Sequence, residues 1–416
     1  MSPNRRRPSN DRSRRQFLAG GGAALAASLT TLTAGCLSSL PPLGSDQRYG
    51  RLGVPSADAP NYREWLPAPS SADLPAERYH VAALRPTGPR PDAPELFVAR
   101  RAHAKAALDA FGISFENYDR LVDCTLGTVV EATFDRASVA RTVADSGYER
   151  TDDYRGSAVF ERSDVPRRVA VGDGVVVWTS AYEHGRPNLE ALVDAGAGER
   201  PRYHEESTAF DRLTAAAGGN PYVGISSTVR DPTDRPATLA DAIRFDGEHA
   251  YQVVHYRYLT DRVPTRDQLE TALREHDYRF ADGADAFDVR VDGRLATVET
   301  RVPLRPGREP DPDYALPQVT WGVTHDADAG TVTFRHEAGE SVPAGRLFYD
   351  LDTPSAPGRI DREPLWTDAD AVAAGAEATV DLDDHPEATG ASLVYSTGGT
   401  HFHVLFGLDL RGETDG

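Results

Sequence analysis

The stretch Gly127-Thr128-Val129-Val130-Glu131-Ala132-Thr133-Phe134, followed by Asp135-Arg136-Ala137-Ser138-Val139-Ala140-Arg141-Thr142-Val143, changes its hydrophobic period within a few residues. The first part, with its paired valines, reads as a strand. Asp135 then stands where a helix N-cap belongs, because a short carboxylate can accept a backbone N–H of the first turn. Val139 and Val143, four apart, share one helical face before Gly147-Tyr148. Strands are predicted next at 157–161, 168–171 and 175–179, the last two joined by Gly172-Asp173-Gly174.

A second stretch repeats this order. Tyr251 to Tyr258 is predicted as a strand, Thr265 and Gln268 as a capping box, and Leu269 and Leu273 as one helical face before Asp277-Tyr278. Strands at 286–291 and 295–302 follow, joined by the hairpin turn Asp292-Gly293. The pairs Val139/Leu269, Val143/Leu273 and Tyr148/Tyr278 are each 130 positions apart. We read an internal duplication of a β-α-β-β unit, with copies at 127–180 and 250–302; the alternative is chance likeness between two ordinary α+β hairpins.

Outward from these copies, a strand is predicted at Tyr79–Leu84, an Ala-rich helix at Glu95–Phe111, and helices around Leu189-Leu192-Val193 and Phe210-Leu213. Gly218-Gly219-Asn220-Pro221 stops the last of these, and a strand resumes at Tyr222–Thr228. Residues 77–308 thus form one α+β domain. Five prolines between Pro303 and Pro317 read as a linker. Beyond it, Val319-Trp321-Val323, Val332-Phe334, Leu347-Tyr349, Leu393-Tyr395 and Phe402-Val404-Phe406 alternate between Gly/Pro/Asp turns, as in an antiparallel β-sandwich over 318–412. The expected fold class is α+β, with the sandwich following the α+β domain.

The first 36 residues have the parts of an export signal: a basic region, a modest apolar stretch and small residues before a break. Arg14-Arg15-Gln16-Phe17-Leu18 resembles a twin-arginine translocation signal, with Arg14, Arg15, Phe17 and Leu18 as its recognised residues. Leu32-Thr33-Ala34-Gly35-Cys36 resembles a lipobox, which implies lipidation of Cys36 and attachment to the outer face of the cytoplasmic membrane; an uncut signal anchor is the alternative. Residues 37–76, rich in Pro, Ser and Ala, read as an extended tether, with Tyr62 and Trp65-Leu66 marking its docking point. Cys124 is then the one cysteine besides Cys36, so the lipidated chain cannot close an intramolecular disulfide, and a buried inert thiol is expected.

The chain has 416 residues, 45 Lys+Arg against 64 Asp+Glu, and a formal charge of −19. Residues 1–35 carry +5, which leaves −24 on the remainder. So acidic a chain is a poor partner for nucleic acid, which is bound through clusters of Lys and Arg. Lys105 is the one lysine. An acidic, Lys-poor chain resembles halophilic archaeal proteins, since concentrated salt screens repulsion among surface carboxylates; a GC-rich genome favouring Arg codons is the other explanation.

The segment Thr333-Phe334-Arg335-His336-Glu337-Ala338-Gly339-Glu340, continuing to Leu347, with Ala374-Gly375-Ala376-Glu377 and Ser392-Leu393-Val394-Tyr395, resembles the head domain of archaeal type IV pilins. Those domains carry a His-Glu-Gly-Gly-Asp turn, from which this chain departs at Ala338 and Glu340. The resemblance implies a β-sandwich exposed at the cell surface. A lipoprotein-type leader stands in place of the pilin N-terminal helix, so filament formation is not implied. Residues 77–308 resemble, in general terms, haloarchaeal surface lipoproteins of unknown function.

Motifs for chemistry are sparse. His204-Glu205-Glu206 and His336-Glu337 lack the second His of a helical zinc-protease site, and Gly224-Ile225-Ser226 lacks the second Gly of a nucleophile elbow. Thr400-His401-Phe402-His403 is the metal candidate: strand alternation places His401 and His403 on one face, outward if Phe402, Val404 and Phe406 face the core. Asp326-Ala327-Asp328-Ala329-Gly330 with Glu337 imitates a calcium loop but has Thr331 where the sharp turn needs Gly, so a hairpin is favoured. No cofactor is expected. The leading reading is a non-enzymatic, lipid-anchored binding or envelope-assembly module, its partner a surface protein or glycan. An exported metal-assisted enzyme and a two-lobed solute-binding receptor are the competing classes.

Overall fold

The computed structural model describes residues 52–86, 93–226, 237–275, 283–305, 307, 312–353, 363–383, 385–398 and 402–410. The leader, Tyr278 and His401 therefore lie outside the described residues. The chain is a mostly antiparallel β protein with a few helices, an α+β fold as expected.

Twelve strands form one sheet. In chain order they are β1 (His80–Leu84), β2 (Tyr118–Cys124), β3 (Gly127–Ala132), β4 (Glu149–Tyr154), β5 (Ser157–Glu161), β6 (Arg167–Val171), β7 (Val175–Ser180), β8 (Tyr222–Ser226), β9 (Ala237–Phe245), β10 (His249–Tyr258), β11 (Ala286–Asp292) and β12 (Leu295–Pro303). Their spatial order is β11-β12-β10-β9-β8-β1-β2-β3-β7-β6-β5-β4. Strand β1 is the centre, pairing with β8 on one side and β2 on the other, so the two halves share a continuous ladder. Each half contains a hairpin, a helix and a second hairpin that returns beside the first. Thus β2-β3 is followed by β7-β6 in space, and β9-β10 by β12-β11. In the first half an additional hairpin, β4-β5, extends the sheet edge.

Among the described residues six helices cover the faces: α1 (Glu95–Ala107), α2 (Arg136–Ala144), α3 (Leu189–Gly196), α4 (Tyr203–Glu206), α5 (Thr208–Ala217) and α6 (Arg266–Glu275). Asp135 caps α2 as expected, its Oδ1 accepting from Ser138 N at 2.7 Å. Thr265 and Gln268 cap α6 reciprocally. Helix α1 stops at Ala107 rather than at Phe111, because Leu108 and Phe111 turn back into the core under the sheet. On one face, Val81, Val122, Val129, Val177 and Ile225 pack under α3 and α5 through Leu192, Phe210 and Leu213. On the other, α1 and α2 cover Leu121, Val130 and Val176, while α6 covers Val254, Val289 and Val298.

Residues 52–76 are not an extended tether. They run as short 3-10 turns along the first face, with Tyr62, Leu66 and Leu74 buried in its core, Trp65 Nε1 donating to Glu131 Oε1 at 2.9 Å, and bridges from Asp58 to Gly219 and Pro67 to Arg202. Small residues and prolines suit such a strap, because they fit a close groove and lose little side-chain entropy on burial. The docking point at Tyr62 and Leu66 is as read. The proline-rich linker is likewise packed where it is described: Leu316 is buried, and Tyr314 Oη donates to Glu95 Oε1 on α1 at 2.7 Å.

The C-terminal module has strands β13 (Val319–Asp326), β14 (Thr331–Gly339), β15 (Val342–Pro343), β16 (Leu347–Asp352), β17 (Glu363–Pro364), β18 (Ala371–Val372), β19 (Glu377–Asp381), β20 (Gly390–Ser396) and β21 (Phe402–Asp409). They form sheets β13-β14-β19 and β17-β16-β20-β21, with the small ribbon β15-β18. Trp321, Phe334 and Val380 of the first sheet share a core with Leu347, Leu393 and Phe406 of the second. The alternation expected for Phe402, Val404 and Phe406 fails. A register shift between Leu393 and Val394 aligns Phe406 with Leu393 but Val404 with Val394, so the three do not share a face. His403 aligns with Tyr395, on the core-facing side, and not outward as alternation alone implied.

Toward β10–β12 the first face becomes polar. His255 is 6% exposed there, Nδ1 lying 3.1 Å from Thr297 Oγ1. Burial first, then the positive charges of Arg244 and Arg290, lower its pKa to about 4. The unfolded chain, with an ordinary His near 6.5, therefore takes up the proton first as pH falls. This contribution to stability is complete above about pH 6.5 and lost down to about pH 4. Relative to a His255→Gln variant, wild type should lose on the order of 3 kcal/mol across that window, read from urea unfolding at each pH. A constant difference would contradict the assignment.

Candidate functional site

The described residues concentrate buried charge at the seam between the large sheet and the C-terminal module. Its apolar floor mixes both modules: Ala102 of α1 and Val165 lie in the C-terminal core, and the Tyr182 ring meets Phe406 at 6.0 Å. Above that floor, Arg167 at the start of β6 and Asp109 just after α1 form an ion pair at 2.7 Å, each side chain 2% exposed. Asp109 Oδ2 also accepts from Tyr148 Oη at 2.6 Å and Trp178 Nε1 at 3.2 Å. The Arg167 guanidinium lies over the Trp178 ring on its own side and the Phe406 ring of the C-terminal module. Burial, and then the Asp109 carboxylate, hold the Tyr148 hydroxyl protonated well beyond the usual range.

Two further contacts fix the register of the modules. Gln318 Nε2 donates to Asp109 O at 2.9 Å and Tyr118 Oη at 3.0 Å, and Thr320 Oγ1 accepts from Ala110 N at 2.9 Å. Beside them lies a four-membered charge cluster. Arg162, whose side chain is fully buried, holds Asp164 with two hydrogen bonds of 2.9 and 2.8 Å, donates to Ser146 O at 2.9 Å and approaches Glu337 at 3.4 Å. Arg335 of β14 closes the ring on Asp164 at 2.8 Å and Glu337 at 3.0 Å. Burial works against the Asp164 charge, but Arg162 and then Arg335 outweigh it, and the carboxyl stays below its usual range.

The segment His336–Glu340, which is the end of β14 and the residue after it, lies in this seam. Glu337 faces Arg162, and Glu340 pairs with Lys105, the one lysine, at 2.6 Å. Between them Gly339 has φ +115°, and a Cβ there would stand 2.3 Å from Gln318 O and 3.0 Å from Ala110 Cβ. Only glycine lets the two backbones approach so closely.

The other candidates from sequence fare differently. Cys36, Arg14, Arg15, Phe17, Leu18 and His401 lie outside the described residues. Cys124 is buried, and burial pushes its thiol up to about 12, as suits an inert core thiol. Asp326 Oδ1 accepts from Asp328 N at 3.0 Å and Ala329 N at 2.9 Å, which makes the calcium-like loop a hairpin turn. No group of three or more His, Cys, Asp or Glu arranged for a metal ion occurs among the described residues. His403 meets His103 of α1, with ring centroids 5.3 Å apart.

One arrangement looks catalytic by residue type: Thr128, His184 and Asp123. Thr128 Oγ1 and Asp123 Oδ1 both approach Nε2 of His184, at 3.1 and 3.3 Å, while Nδ1 lies at the backbone of Ser180. A relay needs base and orienting carboxylate on different ring nitrogens. Here both share one, and the Thr128 hydroxyl donates directly to Asp123 Oδ1 at 2.6 Å. The cluster fastens the loop after β7 to β2 and β3.

Asp109, Arg162, Arg167 and His103 were missed by sequence reasoning. A signal existed for the seam arginines: Arg162 and Arg167 flank an apolar Val165 between two strands, where a solvated charge has no obvious place. Substituting Arg167→Met leaves Asp109 charged and buried, at a cost of roughly 3–5 kcal/mol in denaturant unfolding. Adding Asp109→Asn, which keeps an acceptor for Tyr148 and Trp178, should restore about 2 kcal/mol or more. Additive losses would show that the pair does not carry the seam.

No protein-family model matches the chain, and no curated protein matches it. Among solved structures, crystal form III of TP0453 aligns over 60% of this chain and 95% of its own, with 9% identity and a TM-score of 0.36. Crystal form I of TP0453 aligns with 8% identity and a TM-score of 0.35 over 60% of this chain and 94% of its own. Likeness of that order carries no argument about this protein.

Proposed function

We propose that the chain is a lipid-anchored cell-surface protein of a halophilic archaeon that works without catalysis, as a two-module body for binding or envelope assembly. The seam carries this reading. Its charges are engaged in joining modules, and the end of β14, His336–Glu340, is used against the neighbouring module through Glu337 and Glu340. A C-terminal domain held that way suits fixed display better than addition to a filament. The two sheets around Trp321 and Phe406 are read as a β-sandwich, and the matching hairpin-helix-hairpin halves as copies of one duplicated unit.

In this reading twin-arginine export through Arg14 and Arg15 delivers the folded protein, and a lipid on Cys36 holds it at the outer face of the membrane. Leu52, the first described residue, donates its N–H to Glu299 Oε2 on β12 at 3.3 Å. The partner is a surface protein or glycan. Continuous pairing through β1 gives no support to a receptor with lobes facing across a cleft. Among the described residues no helix is long and apolar enough to cross a membrane.

The reading predicts that Cys36→Ser moves the exported protein from the membrane fraction to the medium, and that Arg14→Lys with Arg15→Lys retains it in the cytoplasm. Membrane retention of Cys36→Ser after export would contradict the anchor. Cross-linking on intact cells should capture one recurrent surface partner; cleavage or turnover of a bound substrate would favour an enzyme instead.

A further inference from the structure

Two imidazoles from different modules meet at the seam. His103 stands on α1 and His403 on β21, with ring centroids 5.3 Å apart and planes at 57°. Both residues are half-buried. His403 faces this way because of its register with Tyr395, ahead of the shift that displaces Val404 from the Phe406 face. His103 also hydrogen-bonds the backbone of Ala99, one turn earlier on α1, which orients the ring as the outer partner of a metal-bound His does.

The spacing is suited to sharing an ion. With metal–nitrogen bonds of about 2.0–2.1 Å at a tetrahedral centre, two imidazole centroids stand roughly 5 Å apart. We propose that His103 and His403 together bind a divalent transition-metal ion of the zinc class, with water in the remaining positions, as a clasp between α1 and the C-terminal module. Zinc chemistry favours this over calcium or magnesium, which take oxygen ligands. A two-ligand site linking separate modules would stabilise their docking, because the ion binds only when both are in place.

The test uses the full chain, stripped with chelator and titrated with zinc sulfate by calorimetry. One ion per chain is expected. His103→Gln and His403→Gln should each weaken binding by roughly tenfold or more, and zinc should raise the unfolding temperature of wild type but of neither variant. Zinc binding that survives His103→Gln would place any site on the β21 end alone, with His401, and overturn the proposal; so would the absence of binding to wild type. Should a variant fail to fold, imidazole NMR signals of wild type decide. His103 and His403 must shift together on adding zinc, and zinc that moves neither overturns the clasp.

Discussion

The buried pair of Arg167 and Asp109 is the constraint on which the arrangement of the two modules depends. Taking both charges out of water costs several kcal/mol per ion unless partners replace the lost hydration. Asp109 has such partners in Tyr148 and Trp178, and Arg167 lies against two aromatic faces. Because the Phe406 face belongs to the C-terminal module, the environment of the pair is complete only when that module is docked. Burial therefore turns an interaction within the sheet domain into a condition on how the next module sits.

Around that pair, the geometry leaves little freedom. Gly339 allows β14 to approach the turn after α1, Gln318 and Thr320 fix its register there, and Arg162 and Arg335 distribute positive charge between Asp164 and Glu337. On the far side of the sheet the strap formed by residues 52–76 does comparable work, with Tyr62 and Leu66 filling the core beneath α3 and α5. The central strand β1 joins the halves through the backbone itself. A strongly acidic exterior thus surrounds an interior in which the described buried arginines sit against carboxylates, carbonyls or aromatic rings.

The parts of this fold legible in the sequence were those set by local physics. The Asp135 cap, the Thr265–Gln268 box, the turn at Asp292-Gly293 and the strands with paired valines depend on near neighbours, and all occur where they were read. Strand β4 was not legible, because Glu149-Arg150-Thr151-Asp152-Asp153-Tyr154 has no alternating apolar face and takes its place at the sheet edge by pairing with β5. The ladder linking the halves through β1, the seam and the meeting of His103 with His403 depend on residues far apart in the chain, which periodicity does not report. The outward placement of His403 failed for one identifiable cause, a register shift of the kind no alternation rule foresees. Composition misled at residues 52–76: a segment poor in large apolar residues can still pack when a few of them, Tyr62, Leu66 and Leu74, meet a prepared groove.

The sheet and the C-terminal module, joined by buried charge, are therefore expected to unfold as a single unit. Scanning calorimetry at high salt tests this most directly. One transition whose calorimetric and van't Hoff enthalpies agree is the predicted result. Two resolved transitions, or a calorimetric enthalpy well above the van't Hoff value, would show that the modules melt separately and that the seam does not bind them into one body.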